Sequence, residues 1–287
     1  MLLLFKRNHF SNYLALTLLV LACVLPYVLF QDKLTLDNGT VLIHEVMPWS
    51  LPFIETPVPQ VIYGFILIYI QALICSSLVI KNRMSRELSI IPSAVFILFS
   101  FLILFDKVYS QVLLANLFFC LSIRNLFALY KKHKPYGTIY NTGFFTGIAA
   151  ILYCPYIVFL LFHILGIMSL RGLKVREVLQ MLTGLLSPFF FLSVIYLYYD
   201  EALFHSSIIS WSLDLPSIDL HNVLLLTKFG ILLILCSFLF LIQPKLLKKK
   251  KFDVIKKIEL SYWFFLFAVL SIFFTEKLSS EHLLIVS

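Results

Sequence analysis

Apolar runs of roughly 17 residues or more, enough for a helix to cross about 30 Å of hydrocarbon, recur throughout this 287-residue chain, and short Lys/Arg clusters separate them. No other feature constrains the fold as strongly. Inside a bilayer every backbone N–H and C=O must find a partner within the protein, which leaves only helices or a closed barrel. The residue-by-residue alternation of a membrane barrel is absent, so helices remain. Only 13% of the residues are charged, against about a quarter in soluble domains. The expectation is therefore an all-α integral membrane protein, a single polytopic domain over residues 1–287.

The net charge of +8 raises the question of nucleic acid, and the positions of the charges answer it. The basic residues fall into five groups: Lys6 and Arg7; Lys81, Arg83 and Arg86; Lys131, Lys132 and Lys134; Arg171, Lys174 and Arg176; and the seven lysines from Lys245 to Lys257. Short basic loops between apolar runs are what the positive-inside rule produces on the cytoplasmic face. A reader of nucleic acid would place such charge on a folded face among base-reading groups, so no nucleic-acid partner is expected. The five cysteines lie inside apolar runs without paired spacing and read as packing residues. Val20-Leu21-Ala22-Cys23 approaches a lipoprotein cleavage box, but apolar sequence continues to Phe30. That continuation predicts an uncleaved first helix.

Following the charges gives a topology of about nine segments with the N-terminus in the cytoplasm. The first span covers about 13–30, and an external loop, about 31–60, contains prolines 48, 52, 57 and 59 that exclude a long helix there. Spans two to four cover about 61–80, 90–105 and 110–130. The stretch 142–170 is decisive. As one crossing it would put Arg171, Lys174 and Arg176 outside and invert every later loop, placing the lysine-rich loop at about 244–257 outside as well. A hairpin of two short helices, 142–153 and 155–170, avoids this, with the break at Tyr153-Cys154-Pro155. Its arms would reach about 18 and 24 Å, so its tip should lie among other helices within the membrane. Span seven, about 175–199, is interrupted by Pro188 and leads to an external loop at about 200–221. There Phe204, Ile208, Trp211 and Leu215 fit a surface-lying amphipathic helix. Spans eight and nine cover about 223–242 and 260–274, and the tail from Glu276 is external. This arrangement leaves only Lys33, Lys107, Lys228 and Lys277 for the outer half.

Phosphate-cradling glycine loops, His-Glu-x-x-His, paired CxxC and nucleophile elbows are missing, and no resident cofactor or metal site is named by the sequence. At the outer face the candidates are Asp32 and Asp37, with His44-Glu45 nearby. The simplest reading makes both acids solvated loop residues; a carboxylate there could instead act as a general base toward an acceptor hydroxyl, and a carboxylate–His group could hold a divalent cation. Lys228 and Arg124 lie within spans; each could snorkel to the headgroups, and Lys228 could instead bind an anionic headgroup or pyrophosphate. The lysine run 248–251 reads as a topogenic anchor touching anionic lipid.

Ser122-Ile123-Arg124-Asn125-Leu126-Phe127, the basic turn, and the run from Thr142-Gly143 through Gly147-Ile148-Ala149 to Tyr153-Cys154-Pro155 resemble the middle of GT-C-type membrane glycosyltransferases. There a Gly-x-x-x-Gly-x-Ala short helix leads into a proline break and a second short helix. From Asn8-His9-Phe10-Ser11-Asn12 to about Glu201 the chain is also similar to a family of uncharacterised Bacteroidota multi-pass inner-membrane proteins. The wider resemblance implies a GT-C-like core and sugar transfer at the outer leaflet from a lipid-phosphate-linked donor. Carried over by position, the base is Asp32 or Asp37. The sequence departs from the pattern in lacking an Asp-Glu pair after the first span. Two functions are therefore expected to compete. One is a glycosyltransferase-like component of cell-envelope glycan or glycolipid assembly in the inner membrane. The other is a non-catalytic scaffold or subunit binding membrane lipids, a lipid-linked sugar or a membrane protein complex.

Overall fold

A computed structural model describes residues 10–29, 57–85, 90–103, 111–172, 174–199, 251–271 and 280–285, with single positions 227, 230 and 274. All elements among them are helical. They are α1 (Phe10–Leu29), α2 (Pro57–Lys81), α3 (Ile91–Ile103), α4 (Gln111–Phe127) and α5 (Tyr136–Leu152). A 3-10 turn (Cys154–Val158) follows, then α6 (Phe159–Arg171), α7 (Val175–Tyr199), α8 (Phe252–Ser271) and a terminal 3-10 turn (Ser280–Ile285). Among the described residues, three stretches are long and apolar enough to cross a membrane: Ile62–Lys81, Cys154–Arg171 and Val175–Ile195. The chain is a helical membrane protein.

The proline break lies where expected. Tyr153 leaves α5 in an extended conformation (φ −150°, ψ 105°), and Tyr156 N–H donates to the Tyr153 carbonyl at 3.1 Å, so a 3-10 turn recovers backbone bonds that the break frees. The chain then runs back to where it started. Arg171, at the end of α6, donates from Nη1 to the carbonyls of Leu129 and Lys132, which immediately precede α5. Gly172 then stops the helix at φ +86°, a value open to glycine without strain. Other basic residues converge on this end. Lys256 donates to the Ser169 carbonyl at 2.8 Å, Lys257 to Asn82 Oδ1 at 2.7 Å, and the Arg176 guanidinium lies 5.0 Å over the Tyr136 ring. Four of the five clusters thus supply residues to one end of the bundle, the basic end.

Both arms of the hairpin pack on α4. Phe119 of α4 lies 5.0 Å from the Tyr156 ring, 4.5 Å from Phe159 and 5.8 Å from Phe264 of α8. Among the described helices the most extensive pair is α5 with α7. Gly143 and Gly147 face it from one side and Gly184 from the other. A Cβ at Gly143 would run into the Met181 carbonyl, one at Gly184 into the Tyr140 carbonyl, and one at Gly147 would come within 2.5 Å of the Leu185 carbonyl. Without lipid-excluding hydrophobic drive, such backbone proximity and its dispersion energy hold helices together.

Several boundaries differ from the sequence expectation. The first arm starts at Tyr136, six residues before 142, so at 17 residues it reaches about 25 Å. Helix α2 starts at Pro57 and takes the last four residues of the expected 31–60 loop, because prolines fit a helix's first turn, where N–H groups have no partner anyway. Helix α8 starts at Phe252 and takes the end of the expected 244–257 loop. Pro188 does not interrupt α7, which is continuous to Tyr199. The carbonyl that Pro188 would have left without a donor is that of Gly184, and Ser187 Oγ donates to it at 2.8 Å. Tyr140 OH in turn donates to Ser187 Oγ at 3.0 Å, tying the repair to α5.

Candidate functional site

Asp32, Asp37 and Lys228 lie outside the described residues, as do His44, Glu45, all of 200–221 and nearly all of the eighth span. Among the described residues no group of three or more His, Cys, Asp or Glu could hold a metal. Two polar features among the residues that are described bear on function.

The first is a buried node where α4 meets both hairpin arms. Ser122 Oγ lies 2.8 Å from the Thr142 carbonyl, from Thr146 Oγ1 and from His163 Nε2. His163 Nδ1 lies 2.6 Å from the Phe159 carbonyl, which can only accept. An imidazole with one N–H therefore carries it on Nδ1 and leaves Nε2 as an acceptor, so the single Ser122 O–H is shared between Nε2 and the Thr142 carbonyl. Thr146 Oγ1 donates to the Thr142 carbonyl at 2.8 Å. Thr142 and Thr146 stand 11 and 7 residues before Tyr153 and His163 stands 10 after it, so the node registers the two arms at matching depth. All four side chains are buried, their hydrogen bonds are internal, and no acid joins them. This is a structural lock, worth more to specificity than to chemistry.

The second is a cleft at the basic end. Helices α2 and α4 run the same way and are clamped midway, where Gln71 Nε2 donates to the Leu113 carbonyl at 2.6 Å and Asn116 Nδ2 to Gln71 Oε1 at 3.4 Å. Toward their C-termini they part and leave a cleft of about 330 Å³. Ser77, Lys81, Asn82, Arg124 and Asn125 make its polar lining, while Leu78, Leu121, Ala128 and Phe145 make its apolar wall. The end of α2 is held by local bonds. Met84 N–H donates to the Val79 carbonyl and Arg83 N–H to the Ile80 carbonyl, both at 3.1 Å. This is a Schellman ending with Arg83 in the left-handed position (φ 53°) that glycine usually takes. Asn82 Nδ2 donates to the Leu78 carbonyl at 2.8 Å while its Oδ1 accepts from Lys257, so α8 is tied to the rim.

Lys81 and Arg124 are exposed and make no ion pair or side-chain hydrogen bond among the described residues. No carboxylate or imidazole lines the cleft. It can bind an anion, and it contains no acid–base pair. The sequence placed Arg124 within its span and near its inner edge; it had no means of showing that Arg124 and Lys81, 43 positions apart, share one cavity. No family model matches the chain, and no curated protein or solved structure matches it either.

Proposed function

We propose that this chain is an inner-membrane component of cell-envelope glycan or glycolipid assembly, built on a glycosyltransferase-like helical core. In this reading Asp32 or Asp37 serves as general base at the outer face and Lys228 meets the phosphate of a lipid-linked donor. The supporting observation is the hairpin. The stretch from Tyr136 to Arg171 leaves the basic end, breaks at Tyr153, and returns to the same end, as the resemblance to GT-C-type transferases requires. The reading carries the nine-segment topology, N-terminus cytoplasmic and C-terminus external, with the basic end in the cytoplasm. Cysteines introduced at positions 173 and 250 should then react only with reagents that enter the cytoplasm. Labelling of either from outside would overturn the orientation. For the chemistry, Asp32→Asn, Asp37→Asn and Lys228→Met should each leave protein abundance intact while depleting an envelope glycolipid. Normal glycolipids in all three variants would remove the catalytic reading.

A second reading, a non-catalytic subunit that binds lipid or a protein partner, is favoured by one specific observation. Among the described residues, the Ser122 and Thr146 hydroxyls and the His163 imidazole bond within the protein, and the cleft between α2 and α4 is lined by cations and no acid.

A further inference from the structure

We infer that the cleft between α2 and α4 is a binding site for the phosphate ester of a glycerophospholipid in the leaflet that meets the basic end, separate from any donor bound at the outer face. Three observations carry this. Lys81 and Arg124, which make no ion pair among the described residues, both line one cavity, and Asn125 and Ser77 add uncharged hydrogen-bonding groups beside them. The guanidinium fork suits two phosphate oxygens at once, and the ammonium can serve a third. Each helix C-terminus contributes roughly half a negative charge, so the cations at the ends of α2 and α4 leave a balance near one positive charge, matched by one phosphate diester.

The shape of the lining selects a lipid over a soluble phosphate. Leu78, Leu121 and Phe145 form a wall that runs from the headgroup level toward the bilayer interior; Phe145 is the tenth residue of α5 counted from its basic-end start. A volume of about 330 Å³ equals about eleven waters of bulk liquid, enough for a phosphate, part of its glycerol and the start of an acyl chain. Lys257, held on Asn82 at the rim and 5.5 Å over the Tyr130 ring, is a further cation within reach of the same headgroup. A lipid in this position would bind α2, α4 and α8 together where α2 and α4 otherwise part.

The test uses the full chain in nanodiscs of phosphatidylcholine with and without phosphatidylglycerol, and counts retained lipids by native mass spectrometry. Phosphatidylglycerol should be retained selectively. The double variant Lys81→Gln/Arg124→Gln should retain it about tenfold less, as expected when charge-assisted bonds to one phosphate are lost. Neither side chain supports packing, so the variant should fold. Lys134→Gln, which removes an exposed charge of the basic end away from the cleft, should retain lipid as the parent does. Equal loss in Lys134→Gln would show diffuse surface attraction and overturn the site. Unchanged retention in the double variant would overturn it also. Binding of glycerol 3-phosphate as tight as that of the lipid would overturn the lipid assignment. None of these outcomes depends on glycolipid synthesis, so failure here and failure of the transferase reading are told apart.

Discussion

Helices α6 and α7 follow one another with only residues 172–174 between them, are nearly equal in mean hydropathy, and live in different solvents. Half of Cys154–Arg171 is buried inside the bundle, against 22% of Val175–Ile195. The side chains of α6 meet α4 and α8: Phe159, Phe162, His163, Gly166 and Ile167 are all buried. Helix α7 touches α5 along one strip, through Met181, Gly184, Leu185 and Pro188. Elsewhere it exposes Leu179, Leu186, Phe190, Phe191, Val194 and Leu197. The difference teaches that apolarity in a membrane protein reports the bilayer and says little about neighbours. Lipid tails are as apolar as leucine, so burial must be earned by small residues and hydrogen bonds.

The comparison breaks most sharply at the glycine strip. Gly143→Leu or Gly184→Leu would force α5 and α7 apart, because the obstacle is a backbone carbonyl and cannot rotate away. A cost above about 3 kcal/mol is expected, beyond ordinary overpacking, seen as loss of monodisperse protein in size-exclusion chromatography. Leu186, 59% exposed, tests the other face. Leu186→Lys should cost about 3 kcal/mol on an insertion scale, read as failed membrane insertion in a glycosylation-reporter assay. Normal insertion would mean that this face of α7 meets water or protein.

Within the buried half, Ser122→Ala removes the hydroxyl shared by His163 Nε2 and the Thr142 carbonyl and leaves Nε2 without a partner. The expected loss is about 1–3 kcal/mol, measured as a lower midpoint of unfolding in mild detergent. Thermal midpoints equal to the parent's would mean that water or another group replaces the hydroxyl.

The terminal 3-10 turn offers a smaller, pH-dependent effect. His282, outside the spanning helices, lies 3.0 Å from Tyr153 OH and 3.3 Å from Ser271 Oγ. Burial pushes its pKa down from the ordinary 6.5 to about 4. A released tail takes up a proton near the ordinary value and the docked tail does not, so protons favour release. Docking is therefore at full strength above pH 6.5 and weakens as pH falls toward 4, by about 1.4 kcal/mol for each unit. A spin label at Ser280 should gain mobility between pH 7 and pH 5. A label whose mobility does not change would show that the imidazole is not sealed. The smallest effect belongs to the lipid face again. Leu186→Ala should stay within about 0.5 kcal/mol of the parent, as for substitutions away from packed or bonded sites, by the same unfolding midpoint.

Much of this was legible beforehand. The hairpin followed from charge alone: Arg171 could not be placed on the same side as Lys132 unless the intervening stretch turned back, and the two are in hydrogen-bond contact. The sequence also marked Pro155 as the break and 175–199 as the helix after it. It misjudged helix ends wherever polar or proline-containing residues wound into a first turn, as at Pro57, Tyr136 and Phe252. It misjudged Pro188 because the compensating donor, Ser187, acts through local geometry that composition does not show.

The sequence by itself determined the class of fold, the out-and-back path of the stretch around 142–170 and the gathering of basic residues on one end. Membrane thickness and the cost of moving charge across it act on composition and order alone. Only the tertiary structure decided which apolar helix is buried, that Ser122 is shared by Thr146 and His163, and that Lys81 and Arg124 enclose one cleft. Those facts depend on the relative depth and rotation of helices far apart in the chain. Close contact between particular side chains and backbones sets that geometry, and hydropathy contains no record of it.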